Sequence, residues 1–220
     1  MNTRAKGFTL IEIAIVLVII GLLLGGVLKG QELITGARVR NLVAQQDGVK
    51  AAYFGFLDRY RALPGDYSAA AANISNIVTT LAACGNGNGN GNGQIQSAVN
   101  NEHLLVWEHL AKAGFINGSY TCAAAATNAT SPSNPYGGLL ELQFDAAFAN
   151  GSNRHNLKTG GSVPSDILAE VDRKVDDGNP GQGSFRATPA DPADTCATDA
   201  PPTAWVTTNP GNDCAGTTLF

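Results

Sequence analysis

A run of 21 residues, 8–28, contains a single ionisable side chain, Glu12. At about 1.5 Å of rise per helical residue it covers roughly the 30 Å of a bilayer's hydrocarbon core, so it reads as a transmembrane helix. A carboxylate inside such a run costs on the order of 2.5–3.5 kcal/mol at mid-bilayer and less near a helix end, which calls for a compensating partner. Ahead of the run lie Arg4, Lys6 and Gly7. Basic charge on this flank keeps the N-terminus cytoplasmic and sends the rest of the chain across the membrane. A cleaved secretory signal would need small residues of the A-x-A kind after the apolar region, and Gly25-Gly26-Val27-Leu28-Lys29 offers none.

Lys6-Gly7-Phe8-Thr9-Leu10-Ile11-Glu12, joined to this run, resembles the class III signal of type IV pilins and type II secretion pseudopilins. The resemblance implies cleavage by a prepilin peptidase between Gly7 and Phe8, N-methylation of the Phe8 amine, and assembly of the helices into a filament. Physics supports part of this independently. A cut after Gly7 creates an ammonium group one helical turn from Glu12, and opposite charges attract strongly where water is scarce. When the ammonium comes from an adjacent subunit, Glu12 becomes a register mark for assembly. The implied partners are the peptidase, other copies or homologous pilins, and an inner-membrane assembly platform. The implied location is a single-pass inner-membrane precursor with a periplasmic head, then a surface pilus or periplasmic pseudopilus. In one respect the chain departs from the family. Members commonly carry a helix-breaking proline about three turns below the membrane end, where this chain has Lys29. Gly21, Gly25, Gly26 and Gly30 serve either to loosen the helix, at about 1 kcal/mol each relative to alanine, or to allow close helix contact.

The predicted organisation is a leader at 1–7, a membrane and assembly helix at 8–28, an amphipathic continuation at 29–63 and a globular head at 64–220. Apolar residues from Leu33 to Tyr60 recur mostly at three- or four-residue steps, so the helix is expected to run to about Arg61. That would make about 80 Å of helix. It should stop at Leu63-Pro64-Gly65-Asp66, where proline disfavours helix in the residue before it. The full chain carries −4, and losing Arg4 and Lys6 leaves 12 basic against 18 acidic residues. No basic footprint for nucleic acid is present. Four cysteines in an exported domain predict two disulfides, with three possible connectivities. Cys84–Cys122 with Cys196–Cys214 is favoured, because the second pair resembles the disulfide-bounded terminal loop of type IV pilins.

Gly85 to Gly93 alternates strictly between glycine and asparagine and reads as a flexible loop. A calcium-binding nonapeptide repeat would need aspartates and apolar positions that are missing. Residues 102–113 read as a helix capped by Asn101 and ended by Gly114, with His103 and His109 on different faces as surface or rim residues. Leu140, Leu142 and Phe144 alternate with polar residues as in a half-buried strand. The segment 152–161 reads as loop, 164–175 as a second short helix capped by Ser165, and 183–187 as a strand. The proline-rich tail from Thr188 depends on Cys196 and Cys214 for order. The stretch 174–187, with Leu63-Pro64-Gly65-Asp66 and the Gly-Asn loop, is similar to a widespread group of prepilin-like proteins.

Asp172, Asp176 and Asp177 near Gly178 present oxygens suited to a hard cation such as calcium, which some pseudopilins bind in their C-terminal part. The spacing of an established calcium loop is absent, and Asp-Gly and Asn-Pro are ordinary turn dipeptides, so a hydrophilic turn is the stronger reading and no metal ligand is assigned. There is no G-x-S-x-G, no H-E-x-x-H and no phosphate-cradling glycine loop. No catalytic residue, cofactor or enzyme activity is therefore expected. Tyr53, Phe54, Phe56 and Tyr60 are read as core aromatics. The expected fold class is α+β and pilin-like: a long N-terminal helix on a small antiparallel sheet, with a disulfide-closed C-terminal segment. The expected function is that of a pilin or pseudopilin subunit. The competing reading is a membrane-anchored, non-polymerising adhesin or binding protein.

Overall fold

The computed structural model describes residues 9–188, 195–198 and 202–220. The chain divides into two compact units, one ending at Arg38 and the other beginning at Val39, and helix α1 (Leu10–Tyr60) contributes to both. In the first unit the described part is the helix itself, its apolar side chains exposed from Leu10 to Leu28. One ion pair, Lys29 to Glu32 at 2.7 Å, sits on its surface.

In the second unit the rest of α1 buries Val39, Leu42, Gln46, Val49, Tyr53 and Phe56, an alternation of three- and four-residue steps that keeps one face inward. Two clusters share this stripe. Val49, Tyr53 and Phe56 pack with Trp107 and Leu110 of α3 (Glu102–Lys112) and with Leu142 and Leu157 of the sheet. Val39 and Leu42 pack with Leu168 and Val171 of α4 (Ser165–Val175), with Phe185, and with Trp205. The helix ends because Arg61 adopts φ +52, a left-handed terminator one residue past Tyr60, and its N–H still bonds Leu57 O at 2.9 Å. Its last residue, Tyr60, thus lies four residues before Pro64, slightly short of the expected end.

The sheet has the order β1-β2-β6-β3, antiparallel throughout: β1 (Glu141–Asp145), β2 (Arg154–Lys158), β3 (Phe185–Ala187) and β6 (Gly216–Leu219). A separate ribbon pairs β4 (Ala197–Thr198) with β5 (Ala204–Trp205). One turn of helix, α2 (Ala70–Asn73), and a 3-10 segment (Ala82–Gly87) lead to the Gly-Asn loop. A long N-terminal apolar helix, a small antiparallel sheet and a C-terminal disulfide make this an α+β pilin-like fold.

Several local expectations require correction. The polar segment 152–161 contains an interior strand, β2, rather than loop. Its core face is carried by Leu157 opposite Leu142, and its polar side chains find partners on β1. Lys158 Nζ reaches Asp145 Oδ2 at 2.7 Å and Glu141 Oε2 at 3.2 Å, and Asn156 Nδ2 donates to Asp145 Oδ1 at 2.7 Å. Burial raises the Asp145 proton affinity, but the Lys158 and Asn156 hydrogen bonds outweigh it and hold the carboxyl below its usual range. The tail supplies the other interior strand, β6, whose Thr218 hydroxyl donates to Gln46 Oε1 at 3.0 Å.

Neither short helix is capped as expected. Asn101 stands at the N-cap with φ +47 and makes no capping bond; its amide donates instead to Ala83 O at 3.0 Å. Ser165 is the first helical residue, behind Pro164, and its hydroxyl donates to Val206 O at 2.6 Å. His109, expected at the surface, is fully buried. Phe54, expected in the core, is 50% exposed and rests edge-on against Tyr53 with centroids 5.3 Å apart.

Candidate functional site: the apolar helix and the stapled turns

The start of α1 satisfies part of the need that Glu12 creates. Thr9 precedes the first helical residue, and its hydroxyl accepts the Glu12 N–H at 3.3 Å. The Glu12 carboxylate reaches back to the Thr9 N–H and hydroxyl, each at 2.7 Å. This is a reciprocal capping box, in which each residue satisfies a donor that the helix leaves open. Thr9-x-x-Glu12 spells it in the sequence. Glu12 therefore has an intrachain partner as well as any that assembly would bring. Gly7 and Phe8 lie outside the described residues, as does the leader.

The helix continues unbroken through Gly21, Gly25, Gly26 and Gly30, and a Cβ added at any of them would meet nothing within 4 Å. Residues Leu10 to Leu28 thus form a helical surface long and apolar enough to cross a membrane, exposed among the described residues. Small residues on such a surface permit close approach by another helix.

The remaining candidate residues build two stapled turn systems in the second unit. In the first, three buried carboxylates grip backbone amides. Asp66 accepts from Asn92 N at 3.0 Å and Gly93 N at 2.8 Å; Glu102 from Asn90 N at 2.8 Å and Gln96 N at 3.0 Å; Glu108 from Val78 N and Cys122 N, both at 2.8 Å. His109 completes the set. Its Nδ1 accepts from Gly65 N at 2.9 Å, which leaves Nε2–H to donate to Gly87 O at 3.1 Å. Burial pulls the His109 pKa down to about 4, against the Gly87 bond, so the neutral ring is favoured. Burial also raises Glu102, with neighbouring Asp66 adding to it and the two amide bonds opposing. Cys84–Cys122, with Cα atoms 6.2 Å apart, closes this region. The Gly-Asn segment is consequently bound rather than free: Gly87 and Gly89 are buried, and a Cβ at Gly89 would collide with the Asp66 backbone.

The second system follows α4. The structure brings oxygens of Asp172, Asp176 and Asp177 within 4.8 Å of one another. Asp172 accepts the Trp205 indole N–H at 2.7 Å and Gly178 N at 3.3 Å; Asp176 accepts from Ser184 N and from Phe185 N, the latter at 3.0 Å; Asp177 accepts Asn179 N at 2.8 Å. Carboxylates engaged in this way act as turn staples. Burial pushes Asp172 up to about 6, reinforced by Asp177 and Asp176 and opposed by Trp205 and Gly178. Cys196–Cys214, with Cα atoms 5.6 Å apart, closes this part. Of the remaining histidines, His103 is half-buried beside Glu141 and Lys158, and burial lowers its pKa.

Residues 2–28 match the family model of the prokaryotic N-terminal methylation motif, the signature of the prepilin-type signal of type IV pilins and pseudopilins. The match covers the start of the chain and supports a prepilin-type signal there. No curated protein and no solved structure matches the chain.

Proposed function

We propose that the chain is a structural subunit, major or minor, that polymerises through its N-terminal helix into a type IV pilus or a type II secretion pseudopilus. The observation that carries this reading is the methylation motif set directly on an apolar helix whose side chains from Leu10 to Leu28 are exposed among the described residues. Prepilin peptidase would cut between Gly7 and Phe8, and the new amine would be methylated. Released from its leader, that amine would compete with Thr9 for the Glu12 carboxylate and draw it toward a neighbouring subunit. The uncovered helices then pack together, and the head presents loops outside the filament axis.

Mass analysis of the native protein tests processing, with loss of seven residues and a methyl group on Phe8 expected. Sheared-surface or periplasmic filament fractions test assembly. Recovery solely as an inner-membrane monomer would overturn polymerisation and leave an anchored binding protein. The Glu12→Ala variant should be processed yet excluded from filaments; normal incorporation would remove the register role.

A further inference from the structure

Residues 86–93 contain four successive Asn-Gly steps, beginning at Asn86, Asn88, Asn90 and Asn92. In such a step the glycine nitrogen, unshielded by any side chain, can attack the asparagine Cγ. The nitrogen gives up its proton, the Cγ–Nδ2 bond breaks, ammonia leaves, and a five-membered imide remains. Water then opens either imide carbonyl, giving aspartate or its isomer with the backbone routed through Cβ. No oxidant or reductant is needed. A hydrogen bond that engages the glycine N–H, or one that anchors the carboxamide, must break before the attack and so slows it.

Both protections are present at three of the four steps. Gly89 N–H donates to Tyr67 O at 3.0 Å, Gly91 N–H to Asp66 O at 2.9 Å and Gly93 N–H to Asp66 Oδ2 at 2.8 Å. The side-chain oxygens of Asn88, Asn90 and Asn92 accept from Ala71 N, Asn92 N and Gln94 N at 3.0, 2.9 and 2.9 Å. Asn86 differs. It is exposed, stands at φ +53, and its carboxamide has no hydrogen bond among the described residues.

We propose that Asn86 is a site of spontaneous imide formation and deamidation, and that the Asp66–Tyr67 turn keeps the three downstream Asn-Gly steps unmodified. The event places a new carboxylate on the loop surface two residues from Cys84. The chain thereby acquires negative charge with age at one chosen position, while the packed part of the loop stays intact.

The test uses the full chain with both disulfides formed, held at mildly alkaline pH in detergent. The peptide between Arg61 and Lys112 is then followed by site-resolved mass spectrometry. Asn86 should convert first. Asn88, Asn90 and Asn92 should convert at least about ten-fold more slowly than in the same protein reduced and unfolded, where all four rates converge. Asp66→Ala should accelerate Asn92, whose following glycine loses its acceptor, and leave Asn86 unchanged. Asn86→Gln should abolish the first event, because a glutamine would have to close a less favourable six-membered ring. Equal rates at all four positions in the native protein, or a downstream step that leads, would overturn the proposal. The native-versus-unfolded comparison needs no variant, so it decides the matter even if Asp66→Ala fails to fold.

Discussion

The two stapled regions solve the same problem, that of holding irregular backbone against a helix, with different sets of donors. Around α3, each buried carboxylate receives two backbone N–H groups at 3.0 Å or less and the histidine is held neutral. After α4, Asp172 receives one indole N–H and one long backbone bond while two further aspartates crowd it. Hydrogen-bond donors directed at an anion stabilise its charge, whereas burial beside like charges stabilises its protonated form. The first arrangement holds its backbone through paired amide bonds, whereas in the second Asp172 is poised to take up a proton.

The largest effect should come from removing an anchor. Glu108→Ala leaves the amides of Val78 and Cys122 without an acceptor in the interior, at a cost of about 3–5 kcal/mol by chemical denaturation. A loss below 1 kcal/mol would mean that water replaces the carboxylate and that the region is looser than its bonds imply. Next come the disulfides. Cys84–Cys122 spans 38 residues and Cys196–Cys214 spans 18, so replacing each pair by serine should cost about 4 and about 3 kcal/mol respectively on the chain-entropy account. If the shorter bridge proves the more costly, the tail is held by its bridge more than by β6.

The pH response separates the regions by sign. His109 has its folded pKa lowered to about 4 against an unfolded value of about 6.5, so the unfolded chain binds the extra proton between these limits. Its contribution is full above pH 6.5 and is lost as pH falls toward 4. Asp172 has its folded pKa raised to about 6 against about 3.9, so here the folded chain binds the extra proton. Its contribution is full below about pH 4 and is lost as pH rises through 6. Acidification from 7 to 5 should therefore loosen the α3 region and tighten the α4 region, each by on the order of 1–2 kcal/mol. Glu102, raised by burial, offsets part of the change in the first.

The two tryptophans report the regions separately. Trp107 lies in the first cluster and Trp205 in the second. Trp107→Phe, which also removes a buried indole N–H that has no partner among the described residues, isolates the Trp205 signal. Asp172→Asn should flatten its pH slope while leaving that of the α3 region intact. Parallel slopes in both regions would show that the head responds as one cooperative unit.

How much of this was legible follows from where each signal lives. The apolar run, the α1 stripe from Val39 to Phe56 and the alternation around Leu142 are patterns of side-chain polarity, and these read directly from the sequence. Strand β2 did not, because Arg154-His155-Asn156-Leu157-Lys158 offers one core residue and meets its polar needs through Glu141 and Asp145, far away in sequence. Strand β6 did not, because Gly-Thr-Thr-Leu is short and its burial comes from neighbours on both sides. The Gly-Asn segment looked free because glycine and asparagine are turn formers. Positive φ values at Gly91 and Gly93 accompany a backbone that instead directs amides at Asp66 and Glu102. At the N-terminal end of α1, Glu12 is legible as a charge in an apolar run, whereas its local partner Thr9 is legible only through the spacing of a helix cap.

The smallest expected effect sharpens the contrast between the two short helices. Neither has a side-chain N-cap bond, but for different reasons. Asn101 is held at φ +47 and its amide is engaged with Ala83, so a better capping residue there would have to give up that contact. Pro164 sits at φ −62 and ψ 142, the backbone geometry in which a serine or threonine side chain reaches the open N–H groups of the first turn. Pro164→Ser should therefore stabilise α4 by about 0.5–1 kcal/mol, reduced by the greater freedom of the unfolded chain once proline is gone. Asn101→Ser should give no gain. Thermal unfolding followed through Trp205 and Trp107 distinguishes the two. A gain at position 101 equal to that at 164 would mean that the Ala83 contact contributes nothing, and that the α3 region is held by its carboxylates alone.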